Sequence, residues 1–185
     1  MADDRDHLAE VGAVADTLAN LGLEPILVGG MALVIMGSRR VTRDFDFVIA
    51  SPGDRIQLLV EAMYRQGFEL AARVNEQGDV SATIDNPGVA SVRLRLDAPS
   101  SAYFVKSDTG LRIDLLFDFP IPAATLAWRA IRMTIRTHTL RVASEADLLR
   151  LKQIARANRN APGDAEDVAF LEGRRKKRKT GDSKV

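Results

Sequence analysis

The sequence predicts a mixed α/β domain of the α+β kind, a small mixed β-sheet with flanking helices and a short helical C-terminal part. Three observations carry that expectation. Leu8, Val11, Val14, Ala15, Leu18 and Leu21 recur at the three-to-four-residue spacing of a helix. Phe45, Phe47 and Ile49 alternate with Asp44, Asp46 and Val48, the two-residue period of a strand. Strand-like runs then follow one another between residues 68 and 117, and regular helical patterns return after residue 144, so helices pack on a sheet.

The elements can be justified in chain order. The first helix stops at Gly22, a residue suited to the left-handed turn that ends helices. Residues 25–28 read as a short buried strand, followed by Gly29, Gly30 and a helix to about Met36. After the strand of Asp44 and Asp46, SPGD offers Ser51 or Asp54 as N-cap and Pro52 near the first turn of a helix at 56–65. Strand-like runs follow at 68–74, 80–84, 89–96 and 111–117. DFPIPA then breaks the pattern, and 134–142 reads as a further strand. Ser144 opens the capping-box-like SEAD ahead of a helix bearing Leu148, Leu149, Leu151, Ile154 and Ala155. The loop NRNAPGD precedes a last short helix at 165–171. The expected organisation is a core over 1–143, C-terminal helices packed on it over 144–173, and a basic disordered tail over 174–185.

Composition excludes several chemistries. With 185 residues, 46% of them apolar, the chain is long enough to bury a real core. It has no cysteine, so disulfides, thiolate metal sites and a cysteine nucleophile are ruled out. Only His7 and His138 supply imidazole, which leaves little scope for a histidine-rich zinc site or a serine triad. Carboxylates are the plentiful reactive groups. The acidic start MADDRDHLAE is unlike a secretory signal, and no apolar stretch is long enough to cross a bilayer, so a cytoplasmic protein without a membrane partner is expected. The formal charge of +1 hides a division: RRKKRK at 174–179 supplies six of the 26 basic residues, and the rest of the chain is net acidic against 25 carboxylates. The run reads as a solvated tail or as an arm for RNA phosphates.

The stretch VGGMALVIMGSRRVTRDFDFVI concentrates the chemistry. Two glycines at a strand-to-helix junction let the backbone approach a phosphate. Asp44 and Asp46, two residues apart on a strand, share a face and can hold a hard divalent ion. Asp114, in the apolar run LRIDLLFD, is the best third carboxylate, with Asp118 in reserve. Taken singly, each part has a plain structural reading: a tight turn for the glycines, the wet face of a strand for Asp44 and Asp46, an ion pair with Arg112 for Asp114.

Together these residues resemble the signature of the nucleotidyltransferase superfamily built on the DNA polymerase beta fold, and within it the AbiEii-type and other minimal bacterial nucleotidyltransferases. The matched positions are Gly29, Gly30, Ala32, Arg40, Thr42, Asp44 and Asp46, with Asp114 in the later strand. Lys152, Asp164 and Asp167 match the lysine and Asp-x-x-Asp of the helical end. Met31 stands where many polymerase-type transferases have a phosphate-binding serine, and the chain is shorter than toxins of the AbiEii branch.

The resemblance implies a metal-dependent transferase that moves a nucleoside monophosphate from a nucleoside triphosphate such as ATP to a hydroxyl. Asp44, Asp46 and Asp114 would be catalytic and would hold Mg2+ or Mn2+. Gly29, Gly30, Arg40, Thr42, Lys152, Asp164 and Asp167 would bind the nucleotide. The acceptor is open among tRNA or other RNA, a protein hydroxyl and a small molecule. A toxin-antitoxin or abortive-infection role, with an antitoxin partner, is in scope. Rival readings are a non-catalytic nucleotide- or RNA-binding module of this fold and a haloacid-dehalogenase-like phosphatase. The second fits poorly, because DFDFV lacks the threonine two places after its second aspartate.

Overall fold

The computed structural model describes residues 7–75, 78–158 and 163–181. The acidic N-terminal stretch through residue 6, most of the loop NRNAPGD and the last four residues lie outside the described residues. Helix α1 (His7–Asn20) turns Val11, Val14, Ala15 and Leu18 inward, as its periodicity requires. The buried strand β1 (Ile26–Val28) runs directly into α2 (Gly29–Ile35), and β2 (Asp44–Ile49) buries Phe45, Phe47 and Ile49. There follow α3 (Ile56–Arg65), β3 (Glu69–Val74), β4 (Val80–Ile84), α4 (Pro87–Asp97), β5 (Ser101–Lys106), β6 (Leu111–Phe117) and α5 (Ala123–Arg129). The hairpin β7 (Ile131–Ile135) and β8 (His138–Val142) precedes α6 (Glu145–Asn158) and α7 (Asp164–Gly181).

The eight strands form one mixed sheet in the order β4-β3-β5-β6-β2-β1-β8-β7. Two pairs are parallel, β2 with β6 and β1 with β8, and the remaining neighbours are antiparallel. The core holds Phe47, Phe68, Phe104, Leu18, Leu59 and Ile113 among its fully buried side chains, each contributing about 1.5–3 kcal/mol by leaving water. Pairing of β2 with β6 sets Asp46 beside Asp114 and Asp44 beside Arg112, and β5 sets Tyr103 beside Asp114. A slip of one residue would turn either carboxylate into the core, so burial of the opposite face enforces the register.

Four expectations are corrected. Residues 89–96 belong to α4, not to a strand: Asn86 accepts hydrogen bonds from the N–H groups of Gly88 (2.8 Å) and Val89 (3.1 Å) and caps a helix with Pro87 in its first turn. Residues 134–142 are not one strand: they hold the end of β7, a turn with Arg136 in a left-handed conformation, and β8. Neither Ser51 nor Asp54 caps α3; a short 3-10 turn, Gly53–Arg55, leads into it, and the Ser51 N–H donates to Asp118 at 2.8 Å. The last helix continues to Gly181, so the basic run from residue 174 is helical where disorder is expected. By contrast, Ser144 caps α6, accepting the Asp147 N–H at 3.2 Å. Among the described residues no helix is long and apolar enough to cross a membrane.

Candidate active site

Three carboxylates share one face of the central strands. Asp44 and Asp46 come from alternate positions of β2, and Asp114 from the neighbouring position of parallel β6. Burial and the nearby Asp46 charge push the Asp114 carboxyl up to about 7, although a hydrogen bond with Ser101 opposes the shift. Asp44 Oδ1 and Asp114 Oδ1 are buried without a hydrogen-bond partner. Arg112, on the same face, reaches Asp79 at 3.1 Å and stands 3.9 Å from Asp44, so it does not pair with Asp114. Asp118 is not a third ligand in waiting, because its carboxylate accepts the N–H groups of Ser51 and Ala123, both at 2.8 Å.

The titration of Asp114 carries a prediction. Its folded carboxyl keeps a proton to about pH 7, whereas the ordinary value is 3.8. Between those values the folded chain binds more protons, so stability falls as pH rises through the window, and below both values the effect vanishes. Without divalent ions, Asp114→Asn should therefore stabilise the fold above pH 7 by on the order of 2–4 kcal/mol and have no such effect below about pH 4. Urea unfolding of both proteins across pH 4–8 checks this.

The glycine pair is shaped by two charged side chains. Gly29 has a φ of +66°, and a Cβ there would overlap the Asp46 carboxylate. A Cβ on Gly30 would lie 2.9 Å from the centre of the Arg40 guanidinium. Arg40 in turn donates to Asp167, whose carboxylate also stands 2.7 Å from Lys152 Nζ. Lys152 donates to Asp164 at 3.3 Å as well. Asp164 and Asp167 are both buried, and the cluster ties α7 and α6 to the segment before β2. Farther along α7, Arg174 pairs with Glu145 at 2.8 Å and donates to the Met36 carbonyl at 2.7 Å. All ten sequence-predicted residues thus lie around one site, in two linked groups: the carboxylates with the glycines, and the ion cluster of Arg40, Lys152, Asp164 and Asp167. Thr42 lines the cavity between them.

No protein-family model and no curated protein sequence matches the chain. Solved structures do. The lincosamide antibiotic adenylyltransferase LnuA, lincomycin-bound, superposes with a TM-score of 0.54 at 13% identity, covering 89% of this chain and 95% of that one. The antibiotic-resistance factor ANT(2'')-Ia gives 0.52 at 12% identity over 96% and 95% of the two chains. An antigenic nucleotidyltransferase-like protein from Paracoccidioides brasiliensis gives 0.52 at 17% identity over 90% and 76%. The chain has the nucleotidyltransferase fold.

Within this nucleotidyltransferase fold, two cavities meet at Asp46, Asp114 and Lys152. One, of about 410 Å³, is polar and takes in Gly30, Arg40, Thr42, Asp44 and Tyr103. The other, of about 280 Å³, is mainly apolar and runs between the sheet and α6. Sequence reasoning missed Tyr103, whose hydroxyl is pushed up by burial and by Asp44, and Ser101 beside it. The period-two pattern of SAYFVK was the available signal. Arg174 was missed as an anchor because it sits inside the basic run.

Proposed function

We propose that the chain transfers a nucleoside monophosphate from a nucleoside triphosphate to a hydroxyl acceptor. The observation that carries this reading is the in-register pairing of Asp46 with Asp114, with Asp44 on the same face and the Asp46 carboxylate against Gly29. The donor set fits a hard divalent cation, Mg2+ or Mn2+: all its ligands are oxygens, and two buried carboxylate oxygens accept no hydrogen bond. Asp44, Asp46 and Asp114 would hold it. Among the described residues no three acidic or histidine side chains already stand close enough to grip an ion, as mutual repulsion among carboxylates favours. When bound, such an ion neutralises phosphate charge and polarises the phosphoryl oxygens.

The chain's own groups supply the rest. Gly30 and Thr42 line the phosphate side, and Arg40 and Lys152 offset phosphate charge while Asp164 and Asp167 hold them in place. The acceptor oxygen bonds to the α-phosphorus as the α–β bridging bond breaks, and pyrophosphate leaves with that electron pair. The hydroxyl proton passes to an Asp114 oxygen, the carboxylate acting as general base.

The fold shared with LnuA and ANT(2'')-Ia favours a small-molecule acceptor over RNA or protein. Arg174, the first residue of the basic run, is engaged by Glu145 and the Met36 carbonyl. Each α-labelled nucleoside triphosphate, supplied with magnesium and protein to cell extract, should label the small-molecule fraction, and a chelator should stop it. Label in tRNA would point instead to the toxin-type role. Triphosphate binding with no label in any fraction would leave a non-catalytic module.

A further inference from the structure

Beside the carboxylates lies a cavity whose apolar walls the chemistry of phosphate transfer leaves unused. Its inner end is Gly29, Asp46, Asp114 and Lys152. One wall is Leu33 of α2 with Val48 and Leu116 of the sheet, and the facing wall is Leu151, Ile154 and Ala155 of α6. Phe119, 49% exposed, and Pro120 form its rim. At about 280 Å³ it falls just below the roughly 300–1,000 Å³ typical of ligand pockets, so its occupant is compact.

We propose that this cavity binds the acceptor, and that the acceptor is a compact, uncharged alcohol with an apolar body. The proposal rests on the transferase reading above for the word acceptor, and on the lining alone for the class of ligand. A polycationic amino sugar needs carboxylates along its length, yet among the described residues the acids lining this cavity are Asp46 and Asp114 alone, at its inner end. A nucleic acid needs several basic contacts. Among the described residues the cavity offers Lys152 alone, already engaged by Asp164 and Asp167. Apolar walls with polar groups confined to one end favour a ligand that buries a hydrocarbon body and points one hydroxyl at the carboxylates. The arrangement also suits the reaction, since in phosphoryl transfer the attacking and leaving oxygens lie roughly in line. Two cavities that meet at Asp46, Asp114 and Lys152 let the alcohol and the triphosphate enter from different sides.

The test uses the full chain, α-labelled nucleoside triphosphates with magnesium, and three probe acceptors: 2-phenylethanol, kanamycin and total tRNA. Label should reach 2-phenylethanol, and Ala155→Trp, which fills the cavity, should lower that transfer at least tenfold. If Ala155→Trp fails to fold by circular dichroism, Leu151→Gln, which makes the wall polar at similar size, takes its place. Label on kanamycin or tRNA with none on 2-phenylethanol overturns the proposal while the transferase reading stands. So does competition between 2-phenylethanol and a non-hydrolysable triphosphate, which would put the nucleobase in this cavity. If no triphosphate turns over with any acceptor, the transferase reading fails instead, and the ligand class is judged by direct binding. Shifts of the Leu116, Leu151 and Ile154 methyl resonances with millimolar 2-phenylethanol, lost in the Ala155 variant, uphold it. Unmoved methyl resonances overturn it.

Discussion

Asp46→Asn should lower nucleotidyl transfer roughly a thousandfold or more, the equivalent of about 4 kcal/mol of transition-state stabilisation lost with one ionic ligand to the divalent cation. The substitution keeps the shape of the side chain, which matters because the carboxylate fills the space left by Gly29. Its effect on the fold runs the other way. Removing the Asp46 charge relieves one of the two main causes that hold the Asp114 carboxyl up at about 7, so the metal-free variant should be no less stable than the natural chain at neutral pH. Loss of activity alongside an unchanged or raised melting temperature is the signature of a lost ligand. Calorimetry with Mn2+ should show weakened binding in Asp46→Asn and likewise in Asp44→Asn. Full transfer activity in Asp46→Asn would remove the carboxylate mechanism, and unchanged metal affinity in both variants would remove the metal assignment.

The second large effect concerns stability. Asp167→Ala should destabilise the chain by about 3–5 kcal/mol, the range for breaking a buried ion pair by taking one partner away. Asp167 is 3% exposed and faces two cations, Arg40 and Lys152. Without it Lys152 keeps only Asp164 at 3.3 Å, and Arg40 loses its carboxylate beside Gly30. Domains of this size are stable by only about 5–15 kcal/mol, so the loss should be plain in a urea titration. A role confined to the nucleotide gives a different result: a raised KM for the triphosphate with the unfolding midpoint unmoved. That outcome would mean the cluster is a binding site and contributes little to holding α7 in place.

What the sequence revealed and what it concealed divide along the range of the signal. The strand of Asp44 and Asp46, the glycine pair and the apolar run around Asp114 were legible because each is a local pattern of period or turn chemistry. Helix α4 was misread for an equally local reason. Its β-branched Val89 and Val92 favour strands, and Val92, Leu94 and Leu96 alternate with Arg93 and Arg95 at the period of a strand. Only the NPG start carried the helical signal. Helix α5 was hidden because it begins directly after two prolines and spans only seven residues. Family resemblance placed Lys152, Asp164 and Asp167 near the nucleotide, but that they engage one another and Arg40 is a tertiary fact with no sequence period. Asp118 was misassigned because its face on the strand was readable and its partners, Ser51 and Ala123, were not.

The parallel pairing of β2 with β6 has a consequence for how the molecule assembles. Three strands and two helices of chain intervene between these partners, so the contact joining Asp46 to Asp114 closes a long loop whose entropy opposes early formation. Local pieces such as the β7–β8 hairpin can form first, but the carboxylates have no reason to meet until the centre of the sheet closes. A cation that needs all three then has high affinity only for the finished fold, and by mass action it stabilises that state alone. The ion would thus also act as a late lock on folding, offsetting the repulsion among like charges once the seam between β2 and β6 has closed.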